Sequence, residues 1–250
     1  MQAEISILRL KQTLITMKIG IITAMSMEHE QVVKLLSEKK EQQGGPFHFT
    51  EGTVGENTLI LMQCGIGKVN AAAGAVELVN RFHPDCLIST GVAGGIDKSL
   101  KVMDVVASSR IVYHDVWCGE GNEYGQVQGL PTYFTGAPAL LQCALSLTPE
   151  AEGMTIHEGL ICSGDKFITD RTELDYIKGR FPDGLAVDME SGAIAQVCHL
   201  YSVPFLSFRI ISDTPGADEH WQQYTNFWQT VAERSFSITH QFLSAIQNLG

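Results

Sequence analysis

Short apolar runs alternate along the chain with stretches in which apolar residues recur every three or four positions. Residues 18–23 form a run rich in β-branched side chains, which predicts a strand, and the spacing over residues 26–36 predicts a helix after it. Residues 47–53 alternate between apolar and polar, turn at residues 55–57 and return over residues 58–63. The first quarter of the chain is therefore predicted to hold a strand, a helix and a β-hairpin.

The same alternation continues to the carboxyl end. Further strands are predicted at residues 85–90, 103–112, 156–162, 185–187 and 203–212, and helices at residues 65–79, 138–147, from 172, from 191 and at 224–249. Nearly continuous apolar strands are typical of a sheet that is covered on both sides. The pattern predicts one α/β domain, residues 17–250, with a mixed, mainly parallel sheet flanked by helices on both faces. Residues 1–16 are predicted to be an N-terminal extension, and residues 113–136 a long loop.

Composition and charge narrow the classes of partner. Hydrophobic residues make up 44% of the 250 residues and charged residues 18%, which is typical of a compact globular protein. The net charge of -11 argues against nucleic acid and against an anionic membrane surface, because both attract clustered Lys and Arg. No apolar stretch approaches the length of a membrane span, and residues 1–16 lack the layout of a signal peptide. We expect a small-molecule partner.

The cysteines and histidines indicate neither a metal site nor disulfides. The six cysteines are widely scattered, with no pair at the spacing of a zinc or redox motif, and this predicts a protein of the reducing cytoplasm. None of the eight histidines forms a metal-ligand pair with another acid or cysteine. We therefore predict no metal.

Two glycine-rich turns, at residues 65–68 and 91–95, also fail to match cofactor motifs. The first lacks the spacing of a P-loop and has Val69 where Ser or Thr is required. The second does not match the dinucleotide fingerprint, whose third glycine opens a helix. Each is explained either as a tight turn or as a close approach of backbone to another ligand, and we predict no cofactor.

Four carboxylates follow the ends of predicted strands. Glu28 follows the first strand, Asp188 and Glu190 follow the strand at residues 185–187, and Asp213 follows the last. The carboxyl ends of strands in an open α/β sheet converge on one crevice, so we expect these groups to meet there. Each alone is equally explained as a helix cap or a solvated carboxylate. Burial at the end of an apolar strand is expected to raise the pKa of Asp213, which would let it act as an acid near neutrality.

Six ordered motifs resemble a known family. They are residues 17–25 followed by Glu28, and residues 64–72, 90–95, 163–168, 187–190 and 211–213. From residue 17 to the carboxyl end the chain resembles the bacterial 5'-methylthioadenosine/S-adenosylhomocysteine nucleosidases of the nucleoside phosphorylase/hydrolase superfamily. The resemblance implies a nucleoside phosphorylase-like fold and hydrolysis of an N-glycosidic bond, releasing adenine and a 5-thio-substituted ribose. Each motif alone would be a weak signal.

The resemblance also implies roles for individual residues. Asp213 would protonate N7 of adenine, Glu28 would orient and deprotonate water, and Glu190 would accept hydrogen bonds from the ribose hydroxyls. Met189 would pack on the ribose, Phe167 on the purine face, and the backbone of Ile168 would read the base edge. The implied substrate-binding set is Ala24, Ile66, Ala93, Gly94, Phe167, Ile168, Met189, Glu190 and Ser212.

Three alternatives to this activity stay open. Phosphorolysis needs a Gly-Asp-Pro and Arg phosphate clamp after the first strand, whereas this chain has Thr23-Ala24-Met25 there and only Arg209 on a plausible pocket strand. A futalosine-type hydrolase would differ in its 5'-group. An inactive nucleoside-binding domain would be expected to have lost Glu28 or Asp213, and both are present.

Departures from the family pattern concern the sugar and its 5'-substituent. Asp188 replaces a Glu, Val92 replaces a Ser, and the loop at residues 113–130 is polar around Cys118. In the family this loop reaches the neighbouring subunit's pocket, so the resemblance implies a homodimer. It leaves the preferred 5'-substituent open, with 5'-deoxyadenosine among the candidates.

Overall fold

The computed structural model describes residues 16–215 and 219–246, without the side chains of residues 220, 231 and 234. Its strands are β1 Lys18–Thr23, β2 Ser37–Gly44, β3 Phe47–Val54, β4 Asn57–Gln63, β5 Cys86–Gly95, β6 Val105–Tyr113, β7 Phe134–Thr135, β8 Ile156–Ser163, β9 Gly184–Asp188 and β10 Phe205–Asp213. Its helices are α1 Ser26–Val33, α2 Lys68–Phe82, α3 Pro138–Leu145, α4 Arg171–Arg180, α5 Ser191–Tyr201, α6 His220–Asn226 and α7 Ala232–Ala245. A π-helical turn, Phe227–Val231, joins α6 to α7. The predicted extension at residues 1–16 lies outside the described residues except for Thr16.

The strands form one mixed, ten-stranded sheet. Parallel pairings join β4, β1, β5 and β10 in one run, and β6, β8 and β9 in another. Antiparallel pairings of β10 with β6 and of β5 with β9 connect the two runs, so that five strands close into a ring. β4, β3 and β2 continue from β1 to an open edge. The predicted α/β domain with a mixed sheet is confirmed.

The ring closure brings strand ends together in a way that an open sheet does not. β9 runs antiparallel to β5, and the two touch only at their last residues, Gly94 opposite Val187 and Gly95 opposite Ala186. The end of β10 lies beside the same point, with Asp213 opposite Gly94. The predicted crevice is therefore correct in position, but β9 reaches it from the direction opposite to β1, β5 and β10.

Helices cover both sides of the sheet, because successive side chains of a strand point to opposite faces. Ile21 of β1 belongs to a core packed against α1, α3 and α7, whereas its neighbour Ile22 belongs to a core packed against α2 and α5. A smaller third cluster includes Leu174 and Ile177 of α4. The layers on both faces confirm the predicted flanking helices.

Several elements differ from those predicted. β2 was not expected, because its sequence, Ser-Glu-Lys-Lys-Glu-Gln-Gln-Gly, has no apolar alternation. It is an exposed edge strand that pairs with β3. The helix predicted at residues 26–36 ends at Val33. Residues 91–95, predicted as a turn, are the end of β5, because β10 pairs along them in register. The terminal helix predicted from residue 224 is interrupted by the π-helical turn, and residues 247–250 lie outside the described part.

Candidate active site

A cavity of about 270 Å³, called here the main cavity, lies where β1, β5, β9 and β10 end. A smaller adjoining cavity of about 30 Å³ shares its Phe167 and Asp213. The main cavity is lined by Ala24, Met25, Glu28, Ile66, Val92, Ala93, Gly94, Phe167, Val187, Asp188, Met189, Glu190, Ser212, Asp213 and Tyr224. Ile168 lines the adjoining cavity. The structure thus brings every predicted site residue to these two connected spaces.

Glu28 is buried at the first turn of α1 and is held by three backbone N–H groups. Ala24 and Met25 donate to its Oε2 at 2.9 and 3.0 Å, and Val92 donates to its Oε1 at 2.9 Å. A side chain at Gly91 would not fit, because its Cβ would lie 2.6 Å from Glu28 Cδ and 2.9 Å from Arg209 Nη1. Glycine at this point of β5 therefore lets the carboxylate lie against the strand.

Two opposing effects set the ionisation of Glu28. Burial raises the pKa of its carboxyl group, while the Arg209 guanidinium and the three backbone donors lower it, and the net shift is upward. A carboxylate with a raised pKa is a stronger base than an exposed one. Glu28 is therefore oriented by its donors and made more basic by its surroundings.

Glu190 lies at the junction of β9 and α5, with one carboxylate oxygen fixed. Gly67, just before α2, donates its N–H to Glu190 Oε1 at 2.9 Å. Oε2 lies 3.6 Å from Arg209 Nη2. Burial is the main cause that raises the pKa of Glu190 to about 7, with Asp188 and Glu28 adding to it and Arg209 opposing it.

The side chain of Asp188, two residues earlier, contacts Arg209 and the start of α5. Its Oδ2 lies 2.8 Å from Arg209 Nη2, and it accepts the N–H of Ser191 at the start of α5. The hydroxyl of Ser191 donates a short hydrogen bond to the same oxygen. Asp188 therefore combines helix capping with an ion pair, in line with the structural role expected for it.

Arg209 is fully buried in the middle of β10, among hydroxyl groups. Its Nη2 donates to Ser89 Oγ at 2.8 Å, and its Nε donates to Ser207 Oγ at 3.3 Å. Despite burial, its acidic neighbours raise the pKa of Arg209. Arg209 is thus a permanent cation behind the main cavity.

Asp213 ends β10 and is almost completely buried. Ser212 donates its hydroxyl to Asp213 Oδ1 at 2.7 Å, and this hydroxyl also lies 3.4 Å from the carbonyl oxygen of Ala93. The sequence predicted that Asp213 is buried and that burial raises its pKa. The burial is observed, and the raised pKa stays a prediction. The carboxyl group faces the main and adjoining cavities, across from Met189.

Aromatic side chains form the outer wall of the main cavity. The Phe167 ring meets Tyr224 edge-on at 5.8 Å and Trp221 at 6.3 Å, and Trp221 stacks on Tyr224 at 5.7 Å. Phe167 and Trp221 are 44% and 61% exposed, so this wall borders solvent. The hydroxyl of Tyr224 points to Met25 Sδ at 3.6 Å, and burial raises the pKa of Tyr224.

Sequence reasoning missed some of the lining. Met25 and Val92 line the cavity but were not predicted as site residues, although they lie within the motifs at residues 17–25 and 90–95. Their position in these motifs was the signal that could have identified them. Tyr224 carries no such signal, because it lies on a helix far along the chain with no motif around it. Only the fold brings this helix to the cavity.

Ion pairs fix the segment that carries Gly67. The Lys68 ammonium contacts Asp115 at 2.9 Å, and the Lys68 backbone N–H donates to Asp165 at 2.7 Å. Asp115 also accepts the N–H of Asp165 at 2.8 Å. This cluster joins the start of α2, the loop after β6 and the segment after β8, and so holds Gly67 against Glu190.

The described residues contain neither a candidate metal cluster nor a candidate membrane span. Within residues 16–215 and 219–246, no set of three or more His, Cys, Asp and Glu side chains is arranged to hold a metal ion. Over the same residues, no helix is long and apolar enough to span a membrane.

Comparisons with known proteins agree with the geometry. A family model described as the phosphorylase superfamily matches residues 18–244. The 5'-methylthioadenosine/S-adenosylhomocysteine nucleosidase of an Exiguobacterium species is 41% identical over 88% of this chain and 94% of its own. That of Geobacillus thermodenitrificans is 37% identical over 93% of this chain and 98% of its own.

Solved structures give the same result. The nucleosidase from Colwellia psychrerythraea, in complex with adenine, has a TM-score of 0.88 at 33% identity and covers 94% of this chain and 99% of that one. The nucleosidase from Neisseria meningitidis, in complex with methylthio-immucillin-A, has a TM-score of 0.86 at 33% identity, covering 92% and 99%.

Proposed function

The chain belongs to the phosphorylase superfamily and, within it, to the 5'-methylthioadenosine/S-adenosylhomocysteine nucleosidases, and from this membership we propose how its main cavity works. It is an N-ribosyl hydrolase that cleaves the N-glycosidic bond of 5'-methylthioadenosine and S-adenosylhomocysteine and releases adenine. The observation that carries the proposal is that three buried carboxylates from different elements, Glu28, Glu190 and Asp213, line one cavity.

Asp213 is proposed as the acid. When the glycosidic bond breaks, its electron pair moves onto the base, and a proton from Asp213 to N7 neutralises the leaving adenine. The carboxyl group is buried at the end of β10 and accepts the Ser212 hydroxyl, which fixes its orientation. Phe167 and the backbone of Ile168 would hold the purine beside it.

Glu28 is proposed as the base. Loss of adenine leaves positive charge on the ribose, and a water that attacks the anomeric carbon must give up a proton. Glu28 takes that proton, and its three backbone donors keep the acceptor oxygens in place without any rearrangement.

Glu190 and Met189 are proposed to hold the sugar. The Glu190 carboxylate accepts hydrogen bonds from the ribose hydroxyls, and its negative charge stabilises the cationic ribose that forms. Ala24, Ile66, Ala93 and Gly94 would give close, largely apolar contact around the sugar and base.

Water, not phosphate, is the proposed nucleophile. Among the described side chains that line the main cavity there is no lysine or arginine. Arg209 lies behind the cavity, where Asp188 and Ser89 already bind it. Lys166 lines the adjoining cavity, where it pairs with Glu173. A phosphate dianion in the main cavity would therefore lack a matching cation.

Adenine release tests this proposal directly. The purified chain is incubated with 5'-methylthioadenosine, S-adenosylhomocysteine, 5'-deoxyadenosine and futalosine, each with and without phosphate. We expect adenine from the first two at equal rates in both conditions. Release that requires phosphate would identify a phosphorylase, release of hypoxanthine from futalosine without adenine from the other substrates would identify the alternative hydrolase, and binding without release of a base would identify an inactive binding domain.

We propose a homodimer in which residues 113–130 reach the partner's cavity. Support comes from apolar side chains left exposed on that loop, just before α2, and on the packed pair α2 and α5. They are Trp117, Ile66, Val69, Leu200 and Tyr201. Trp117 would then border the 5'-substituent. Light scattering on the purified protein distinguishes a dimer from a monomer.

A cytoplasmic location is also proposed. All six cysteines are unpaired, and Cys118 is exposed on the loop at residues 113–130, where an oxidising compartment would modify it.

A further inference from the structure

The charges behind the main cavity are unequal. Three acids, Glu28, Asp188 and Glu190, surround one guanidinium, that of Arg209, and all four groups are buried. A single cation in such a place can pair closely with only some of its neighbours. The partner that it takes determines which carboxylates are left for a ligand.

Arg209 takes Asp188 as its close partner. Its Nη2 lies 2.8 Å from Asp188 Oδ2 and 3.6 Å from Glu190 Oε2. The first is the separation of a close ion pair, and the second is longer by 0.8 Å. Glu190 is therefore near the positive charge without being bonded to it.

A set of hydroxyl groups holds this arrangement in place. The Ser191 hydroxyl donates a hydrogen bond to Asp188 and accepts hydrogen bonds from Nε and Nη2 of Arg209 at 3.4 and 3.3 Å. Ser207 lies 2.6 Å from the Ser191 hydroxyl, and Ser89 accepts Nη2 at 2.8 Å. Because Ser191 contacts both members of the ion pair, it fixes the distance and angle between them.

We propose that Asp188 and Ser191 form a positioning pair, which holds Arg209 away from Glu190 and so keeps the Glu190 carboxylate available for the ribose hydroxyls. The inference rests on the proposed function, and it assigns neither residue a contact with the reacting atoms. Glu190 Oε1 already accepts the Gly67 N–H. A close hydrogen bond from Arg209 to Glu190 Oε2 would occupy the other carboxylate oxygen, which the ribose hydroxyls need as an acceptor.

The pair is also expected to influence the ionisation of Glu190. The charged and titratable groups that face Glu190 come from several elements: Glu28 of α1, Cys64 after β4, Asp188 of β9, Arg209 and Asp213 of β10 and Tyr224 of α6. Removing the charge of Asp188 leaves the full charge of Arg209 for Glu190 and Glu28. The ionised forms of both carboxylates then become more favourable, and their pKa values fall.

The test compares Asp188→Asn, Asp188→Glu, Ser191→Ala and Ser235→Ala for adenine release between pH 4.5 and 9. Ser235 is a buried serine on α7 with a hydroxyl that has no hydrogen-bond partner among the described residues, so it is a matched control for Ser191. Asp188→Asn should lower kcat/KM by about 100-fold, the loss that a misplaced site group produces. The midpoint of its acid limb should move down by about one pH unit.

The other variants separate positioning from folding. Asp188→Glu keeps the charge and should keep the wild-type midpoint. Ser191→Ala should lower kcat/KM roughly tenfold, largely through KM, because it removes the hydroxyl that contacts both Asp188 and Arg209. Ser235→Ala should match the wild type, and thermal melting checks that each variant is folded.

Two results would overturn the inference alone: an unmoved midpoint in Asp188→Asn, or equal activities of Ser191→Ala and Ser235→Ala, with the wild type active. A Ser191→Ala result of this kind is decisive even if Asp188→Asn does not fold. A wild-type protein that releases no adenine would instead overturn the proposed function, and the inference with it.

Discussion

The two walls of the main cavity are built in different ways. On the inner wall, Glu28 and Glu190 are buried and bound by backbone N–H groups from distant segments. On the outer wall, Phe167 and Tyr224 line the cavity and Trp221 packs against both, and the rings of Phe167 and Trp221 are exposed.

Under the proposed roles, the inner wall takes part in the reaction and the outer wall in the recognition of the substrate. Carboxylates that are already oriented need no rearrangement when charge develops on the ribose, and burial strengthens their effect. Exposed rings that pack on each other can shift to admit and release a flat base. We therefore expect changes to the inner wall to act on kcat and on pH dependence, and changes to the outer wall to act on KM.

The largest effect is expected from Glu28→Gln. The variant keeps the size of the side chain but cannot accept a proton, and its amide NH₂ would face a backbone donor. We expect kcat for adenine release to fall by about 10³-fold, within the usual range for a general base. Glu30→Gln, an exposed glutamate on the same helix, should change kcat less than twofold. If Glu28→Gln keeps a tenth of the wild-type activity, Glu28 is not the general base.

A smaller effect is expected from Glu190→Gln on stability. The pKa of Glu190 is raised from 4.5 to about 7, so between these values the folded protein keeps a proton that the unfolded chain releases. The free energy of unfolding should then decrease as pH rises through this window, by roughly 3 kcal/mol.

Glu190→Gln removes that dependence. It should be more stable than the wild type at pH 8, nearly equal to it at pH 4.5, and far less active. Urea unfolding at both values measures the difference, with Glu30→Gln as control. Equal stabilities of Glu190→Gln and the wild type at pH 8 would mean that ionised Glu190 does not destabilise the folded protein.

The smallest effects are expected on the outer wall. Phe167→Ala should raise KM roughly tenfold, the equivalent of one good aromatic contact, and change kcat less than threefold. Trp221→Ala, which removes the more exposed ring, should raise KM about threefold. Steady-state kinetics with 5'-methylthioadenosine gives both values. A 100-fold loss of kcat in Phe167→Ala would erase the contrast between the two walls.

The sequence was informative where local pattern and local environment agree. The apolar runs of β1 and β10 predicted buried strands, and the carboxylates at their ends predicted the crevice in which Glu28 and Asp213 lie. β2 escaped prediction because a polar edge strand has no apolar alternation, and its existence depends on pairing with β3.

Other features depend on pairings between distant segments. Nothing local specifies that β9 runs antiparallel to β5, and this direction decides which side of the cavity Glu190 occupies. The sequence placed Arg209 on a plausible pocket strand, but it does not specify that Arg209 lies closer to Asp188 than to Glu190, a difference of 0.8 Å. Tyr224 joins the site only through the path of the chain after β10.

The hydrogen bonds of the inner wall also decide when during folding the site comes into existence. Glu28 bonds to Val92, 64 residues later, Glu190 bonds to Gly67, 123 residues earlier, and Arg209 bonds to Ser89, 120 residues earlier. Contacts of such high sequence separation form late, because loop closure opposes them until neighbouring strands are paired. During synthesis, the set of proposed catalytic groups stays incomplete until β10, which carries Arg209 and Asp213, has emerged and docked. Activity in this protein therefore requires that the strands from β1 to β10 are assembled.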